Sequence, residues 1–157
     1  MGIEVNENKI IFKRDFEATA EQIFQAYTER ALFEQWFHPQ NATTEVFEFN
    51  IKKGGQAFFA IYTNQGASYT LTKYNEVKEP NLIDYYDYFA DKEGHIDKNM
   101  AGMHNIIQIE QKDDTITRII STAELPHPKS ARQLLDMGVE DGMNSTFDNL
   151  ESLLKNM

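Results

Sequence analysis

The sequence predicts an α+β fold with its helices on one face of a curved antiparallel sheet. Three observations predict it. Between residues 43 and 125 the apolar pattern runs mostly at a period of two and is cut by turn signals, as hairpin-linked strands do. Two short stretches before residue 38 and a long one at 139–156 repeat every three to four residues. The connections between strand segments are short, so sequential neighbours pair antiparallel.

The first strand is KIIFKRDFE (9–17), where Phe12, Arg14 and Phe16 alternate with Ile11, Lys13 and Asp15. Thr19 opens T-A-E-Q, a capping-box spacing with Gln22 at the third helical position. Ile23, Phe24 and Tyr27 give that helix its apolar face. A second short helix covers about 29–37, with Leu32, Phe33, Trp36 and Phe37 sharing a side, and Pro39 ends it. TTEVFEFNI (43–51) and AFFAIYT (57–63) are strands joined at Gly54-Gly55, residues that supply the positive φ angles of a hairpin. NQG (64–66) turns the chain into SYTLTKYNEV (68–77), and Glu79-Pro80-Asn81 separates that strand from LIDYYDYFA (82–90). A polar loop, 91–99, follows. Segments 100–111 and 115–125 pair across Lys112-Asp113-Asp114, giving about six or seven strands in all. Pro126 and Pro128 break the sheet. A helix starts near Lys129 with Leu134, Leu135 and Met137 on its apolar side, and Gly138 interrupts it. In the last helix Val139, Met143, Phe147, Leu150, Leu154 and Met157 form one stripe, opposite Glu140, Asp141, Asp148, Glu151 and Lys155. Such a stripe must be buried, and the sheet is the large apolar partner available.

At 157 residues the chain predicts one domain, 1–157, with enough length for a real core. Fifteen basic against 25 acidic residues give a formal charge of −10, which argues against nucleic-acid and anionic-membrane surfaces as partners. The absence of Cys excludes thiolate nucleophiles, disulfides and zinc-thiolate or iron–sulfur sites. No apolar run reaches the length of a membrane span, and MGIEVNENK has no signal-peptide pattern, so the expected location is the cytoplasm.

The element order and four local patterns resemble the START-like (SRPBCC) superfamily and, within it, the AHSA-type group named for activators of the heat-shock protein 90 ATPase. The patterns are Thr28, Leu32, Trp36, Phe37 and Pro39 at the second helix; Gly54-Gly55 before an aromatic strand; NEVKEPNLIDY (75–85); and TITRIIS followed by the closing amphipathic helix. The chain departs from the group at Gly142-Met143, where a Gly-Trp pair is frequent, at Thr72, and in the extra length of 91–99. The resemblance implies a helix-grip (START/Bet v-like) fold, with the sheet wrapped on the long helix and a cleft between them able to hold an apolar small molecule. It implies no shared catalytic constellation, because relatives bind lipids, hormones or polyketides, a few catalyse cyclisations, and others bind a protein.

Aromatics crowd the strands: Phe58, Phe59, Tyr62, Tyr69, Tyr74, Tyr85, Tyr86 and Tyr88. They read either as ordinary sheet packing or as a pocket wall carrying a few orienting hydroxyls. Gly142, Ser145 and Thr146 beside Met143 and Phe147 suggest that the helix stands off the sheet there. The ligand-binding candidates are Trp36, Tyr62, Tyr69, Tyr86, Tyr88, Asn105, Ile107, Met143 and Phe147, although the two-sided apolar strands leave open which face lines the cleft. His38, His95, His104 and His127 have no metal-ligand spacing, and no metal or cofactor is expected. Catalysis would need His104, Asp84 or Asp87 to point into the cleft. The leading expectation is a non-enzymatic binder of a small hydrophobic or amphipathic ligand; the alternatives are a chaperone-partner module and a cyclase- or hydrolase-like enzyme.

Overall fold

The computed structural model describes residues 2–99 and 102–157. Eight strands form one antiparallel sheet: β1 (Ile3–Asn6), β2 (Lys9–Glu17), β3 (Thr43–Phe49), β4 (Gln56–Thr63), β5 (Gly66–Lys78), β6 (Leu82–Ala90), β7 (Met103–Gln111) and β8 (Ile116–Glu124). Their order across the sheet is β1-β2-β8-β7-β6-β5-β4-β3. Helices α1 (Ala20–Thr28) and α2 (Arg30–Trp36) lie between β2 and β3, and α3 (Pro128–Asp136) and α4 (Val139–Lys155) follow β8. This is the helix-grip arrangement, with one strand more than the sequence pattern suggests. The added strand, β1, is a four-residue hairpin arm in which Asn6 opposes Lys9, and Glu7 in its turn takes φ 55° without a glycine to announce it.

Local chemistry sets the helix boundaries. Thr19 and Gln22 form the expected capping box: the Gln22 amide donates to Thr19 Oγ1, and the Thr19 amide donates to Gln22 Oε1. Gly138, in the left-handed region at φ 87°, divides α3 from α4. Helix α4 ends at Lys155, so Met157 lies beyond the stripe to which the periodicity assigns it and is exposed. The strand expected at 100–111 begins at Met103; Met100 and Ala101 lie outside the described residues.

The sheet's concave face and the helices share one core. Phe147 of α4 stacks on Phe12 of β2 at 5.3 Å and lies 6.1 Å from the Trp36 ring of α2. The long helix therefore rests on a helix as well as on the sheet. The Trp36 indole, fully buried, donates to the Ala26 carbonyl at 2.9 Å, which locks α2 onto α1 while satisfying its one polar atom. Arg14 of β2 reaches across to α4, donating to Asp148 at 2.8 Å and to Glu151 and the Asn144 carbonyl at 3.3 Å. Beyond α2, the chain is tied to α4 twice: the Gln40 amide donates to Ser145 Oγ at 2.7 Å, and Asn149 Nδ2 donates to the His38 carbonyl at 2.7 Å.

At the far edge of the sheet, among the described residues, β3 pairs only with β4, through a bulge between Val46 and Glu48. Its backbone is met from α2 instead of by a further strand. The Val46 amide donates to Glu34 Oε2 at 2.8 Å, and Arg30 donates to the Val46 carbonyl.

Candidate functional site

Between α4 and the concave face lies a cavity of about 250 Å³, open to solvent. Its floor is made by Ile10, Ile61, Tyr85, Asp87, Met103, Asn105, Ile107, Ser121 and Ala123 from the strands. The roof is Val139, Met143, Thr146 and Phe147 of α4 with Leu134 of α3, and one side wall is Tyr27, Trp36, Phe37, His38 and Pro39. The space persists because the two ends of α4 pack differently. Phe147, Leu150 and Leu154 are buried in the main core, whereas Met143 and Val139 are only partly covered. Gly142 does not create the gap: a Cβ placed there would meet nothing within 4 Å, so it lies on the open side.

Five expected residues meet at this cavity: Trp36, Asn105, Ile107, Met143 and Phe147. Tyr62, Tyr69, Tyr86 and Tyr88 do not. Strand parity puts them on the opposite, convex face. In β6 the buried positions are Ile83 and Tyr85, with Asp87 on the same side, which sends Tyr86 and Tyr88 outward. In register, Tyr69 faces Ala60 and Tyr62 faces Ala67, both on the outer side. The outer tyrosines form their own strip: Tyr69 stacks with Phe58 and Phe47 at 6.2 and 6.3 Å, and Tyr86 lies flat on His104 at 4.5 Å. Tyr62 donates to Glu45 at 2.6 Å, a bond that holds its hydroxyl proton and pushes its pKa up to about 12.

The carboxylates and histidines divide in the same way. His104 Nε2 and Asp84 Oδ1 are 2.6 Å apart on the outer face, away from the cavity. Asp87 faces inward. The Thr72 hydroxyl donates to its Oδ1 at 2.5 Å, but burial outweighs that bond and raises the carboxyl from 3.8 to about 6. Around it, burial raises the Tyr27, Tyr74 and Tyr85 hydroxyls well above their ordinary value, and the Asp87 charge adds to the effect at Tyr74 and Tyr85. Burial lowers the pKa of His38. Thr44 Oγ1 gives its single proton to the Phe37 carbonyl at 2.7 Å, so the 3.0 Å contact with His38 must be a donation from His38 Nδ1–H. The neutral ring then presents Nε2 as an acceptor. Asn105, buried on the floor, donates to the Met103 carbonyl at 3.2 Å.

Tyr27, Tyr85, Asp87, His38 and Ser121 are cavity residues absent from the expected set. The signal for two of them was the parity of β6: Ile83, Tyr85 and Asp87 share the face of the aliphatic Ile107 and Ile109 on β7. Tyr27 and His38 reach the site from helix and loop, where no strand pattern points to them.

An antiparallel sheet gripping a long helix over an open apolar cavity defines a helix-grip domain. The family model for the Activator of Hsp90 ATPase homolog 1-like protein matches residues 17–155, and the chain belongs to that family. Comparison with curated proteins gives no significant match. Among solved structures, a Staphylococcus epidermidis protein determined by solution NMR is 49% identical, with a TM-score of 0.92 over 99% of this chain and 94% of that one. A Mycobacterium smegmatis protein at 20% identity has a TM-score of 0.87 over 98% and 96% of the two chains. An AHSA1 protein from Silicibacter pomeroyi at 18% identity has a TM-score of 0.74 over 94% and 97%. The last two share the fold alone. Family and fold support a ligand-binding or chaperone-associated domain in general, and among the described residues no helix is long and apolar enough to cross a membrane.

Proposed function

We propose that this domain binds a small hydrophobic or amphipathic molecule between the sheet and α4, without catalysing its conversion. The observation that carries the reading is the cavity itself: about 250 Å³, open, mostly apolar in lining, with a few polar groups, Asp87 among them. An engineered apolar cavity of ~150 Å³ holds benzene, so this one has room for a ligand of about ten non-hydrogen atoms. Each Å² of apolar ligand surface taken from water contributes about 25 cal/mol, against the cost of association. Trp36, Ile107, Met143 and Phe147 would supply that burial, and Asn105 would orient the ligand.

The chaperone-partner reading draws on the family's description. It needs no interior space, so the open cavity favours the ligand reading. Of the three acid–base candidates read from the sequence, an enzymatic reading keeps Asp87, joined on the lining by His38, since His104 and Asp84 are paired on the other face.

A thermal-shift screen of small hydrophobic compounds tests the proposal. A ligand at a hundredfold excess over its Kd stabilises by about 2.7 kcal/mol. In a domain of this size that raises Tm by roughly 5–10 °C. Hits should shift the NMR methyl signals of Ile107 and Met143. A broad library that moves neither Tm nor these methyls overturns the reading.

A further inference from the structure

We propose that the cavity selects a cationic amphiphile, an apolar body bearing a protonated amine whose N–H groups lie against Asp87; this rests on the ligand-binding reading above. The first argument is a charge count. Asp87 is the one acidic residue on the lining, and among the described residues no Lys or Arg lines the cavity. Thr72 of β5 bonds Asp87, the Asp87 charge acts on Tyr74 of β5 and Tyr85 of β6, and Asn105 of β7, Tyr27 of α1 and, beyond α2, His38 share the cavity lining with it. None is a cation at neutral pH, because His38 is neutral and has committed Nδ1–H to Thr44. A partly buried carboxylate with no countercharge beside it is disfavoured, and a ligand cation that displaces its water offsets that where a neutral ligand cannot.

The second argument is the hydrogen-bond inventory. Thr72 occupies Asp87 Oδ1, and among the described residues Oδ2 has no donor. His38 Nε2 is likewise an open acceptor. An ammonium carries three donors and no acceptor, which matches an unbonded carboxylate oxygen in a mostly apolar wall. A fatty or aromatic acid would bring a second negative charge beside Asp87. The net charge of −10 also draws cations toward the protein and repels acids.

Three probes of one shape separate the cases: 4-phenylbutylamine, 4-phenylbutan-1-ol and 4-phenylbutyrate, titrated by calorimetry against the wild-type chain and Asp87→Asn at pH 7.5. The amine should bind the wild type at least tenfold more tightly than the alcohol, and the acid should bind weakest. Asp87→Asn should lose tenfold or more for the amine and change less than threefold for the alcohol. Lowering the pH from 7.5 to 5 protonates Asp87, whose carboxyl sits at about 6, while the amine stays charged; amine affinity for the wild type should fall and alcohol affinity should hold. Alcohol or acid binding as tight as the amine overturns the amine assignment and leaves the ligand-binding reading standing, as does an amine preference that survives in Asp87→Asn. Failure of all three probes overturns the amine assignment, while the library screen above decides the ligand-binding reading. The wild-type ranking and its pH dependence decide the question even if the variant does not fold.

Discussion

Replacing Asp87 by Asn should stabilise the ligand-free protein at neutral pH and do nothing comparable in acid. Burial raises the native carboxyl from 3.8 to about 6, so the folded state binds a proton more tightly than the unfolded chain does. At about 1.4 kcal/mol per tenfold change in proton affinity, the difference amounts to ~3 kcal/mol. The sign follows from occupancy. Above about pH 6 Asp87 is ionised in both states and the native state bears the full burial cost. Below about pH 4 it is protonated in both, and the cost is gone. Asn keeps the Thr72 hydrogen bond, because its carbonyl oxygen accepts where Oδ1 did, and it carries no charge at any pH. The stability gap between Asp87→Asn and wild type should therefore grow by ~3 kcal/mol from pH 4 to pH 8, equivalent to roughly 6–12 °C in Tm at this chain length. Urea unfolding followed by circular dichroism at half-unit pH steps measures it. Taking the variant-minus-wild-type difference cancels groups of opposite sign, such as Asp15, whose pKa is lowered by its bond to Arg118. A gap that does not change with pH would refute the burial argument.

Two further substitutions probe how the roof and the outer face are held. Arg14→Met removes the guanidinium that joins β2 to Asp148, Glu151 and the Asn144 carbonyl. Because both carboxylates are half-exposed, the expected loss is about 1–2 kcal/mol in urea unfolding, and it should shrink in high salt; a neutral result would mean that the apolar stripe of α4 and its bonds to Gln40 and His38 fix the helix without Arg14. Gly102→Ala sets a Cβ 2.5 Å from the Tyr88 ring, so Tyr88 or the backbone must shift. A loss of about 1–3 kcal/mol is expected, and a change below ~0.5 kcal/mol would show that the Tyr88 ring yields freely.

The element pattern was legible because local chemistry sets it. Thr19 and Gln22 mark the start of α1, Pro39 the end of α2, and the Met143–Leu154 stripe the buried face of α4. What the sequence hid was sidedness. In β4 and β6 both parities carry aromatics, so Tyr85 and Tyr86 look equivalent, yet one is buried over the cavity and the other stacks on His104 outside. Bulges between Val46 and Glu48 and between Tyr74 and Glu76 shift register partway along two strands, which breaks any rule counted from one end. Asp87 was legible as a carboxylate on a tyrosine-rich strand, but its inward direction depends on the alignment of β5, β6 and β7, which is a long-range fact.

The attachment of Arg30 and Glu34 to Val46 governs how the molecule behaves in a crowd. A bare border strand offers its free amides and carbonyls to any extended chain that drifts by, the first step toward stacking and fibre growth. Here the two polar atoms of Val46 are already occupied by α2, and the kink beside them bends the margin out of line. In a protein rich in phenylalanine and tyrosine, one of the two border strands thus has the pairing groups of Val46 taken by its own helix.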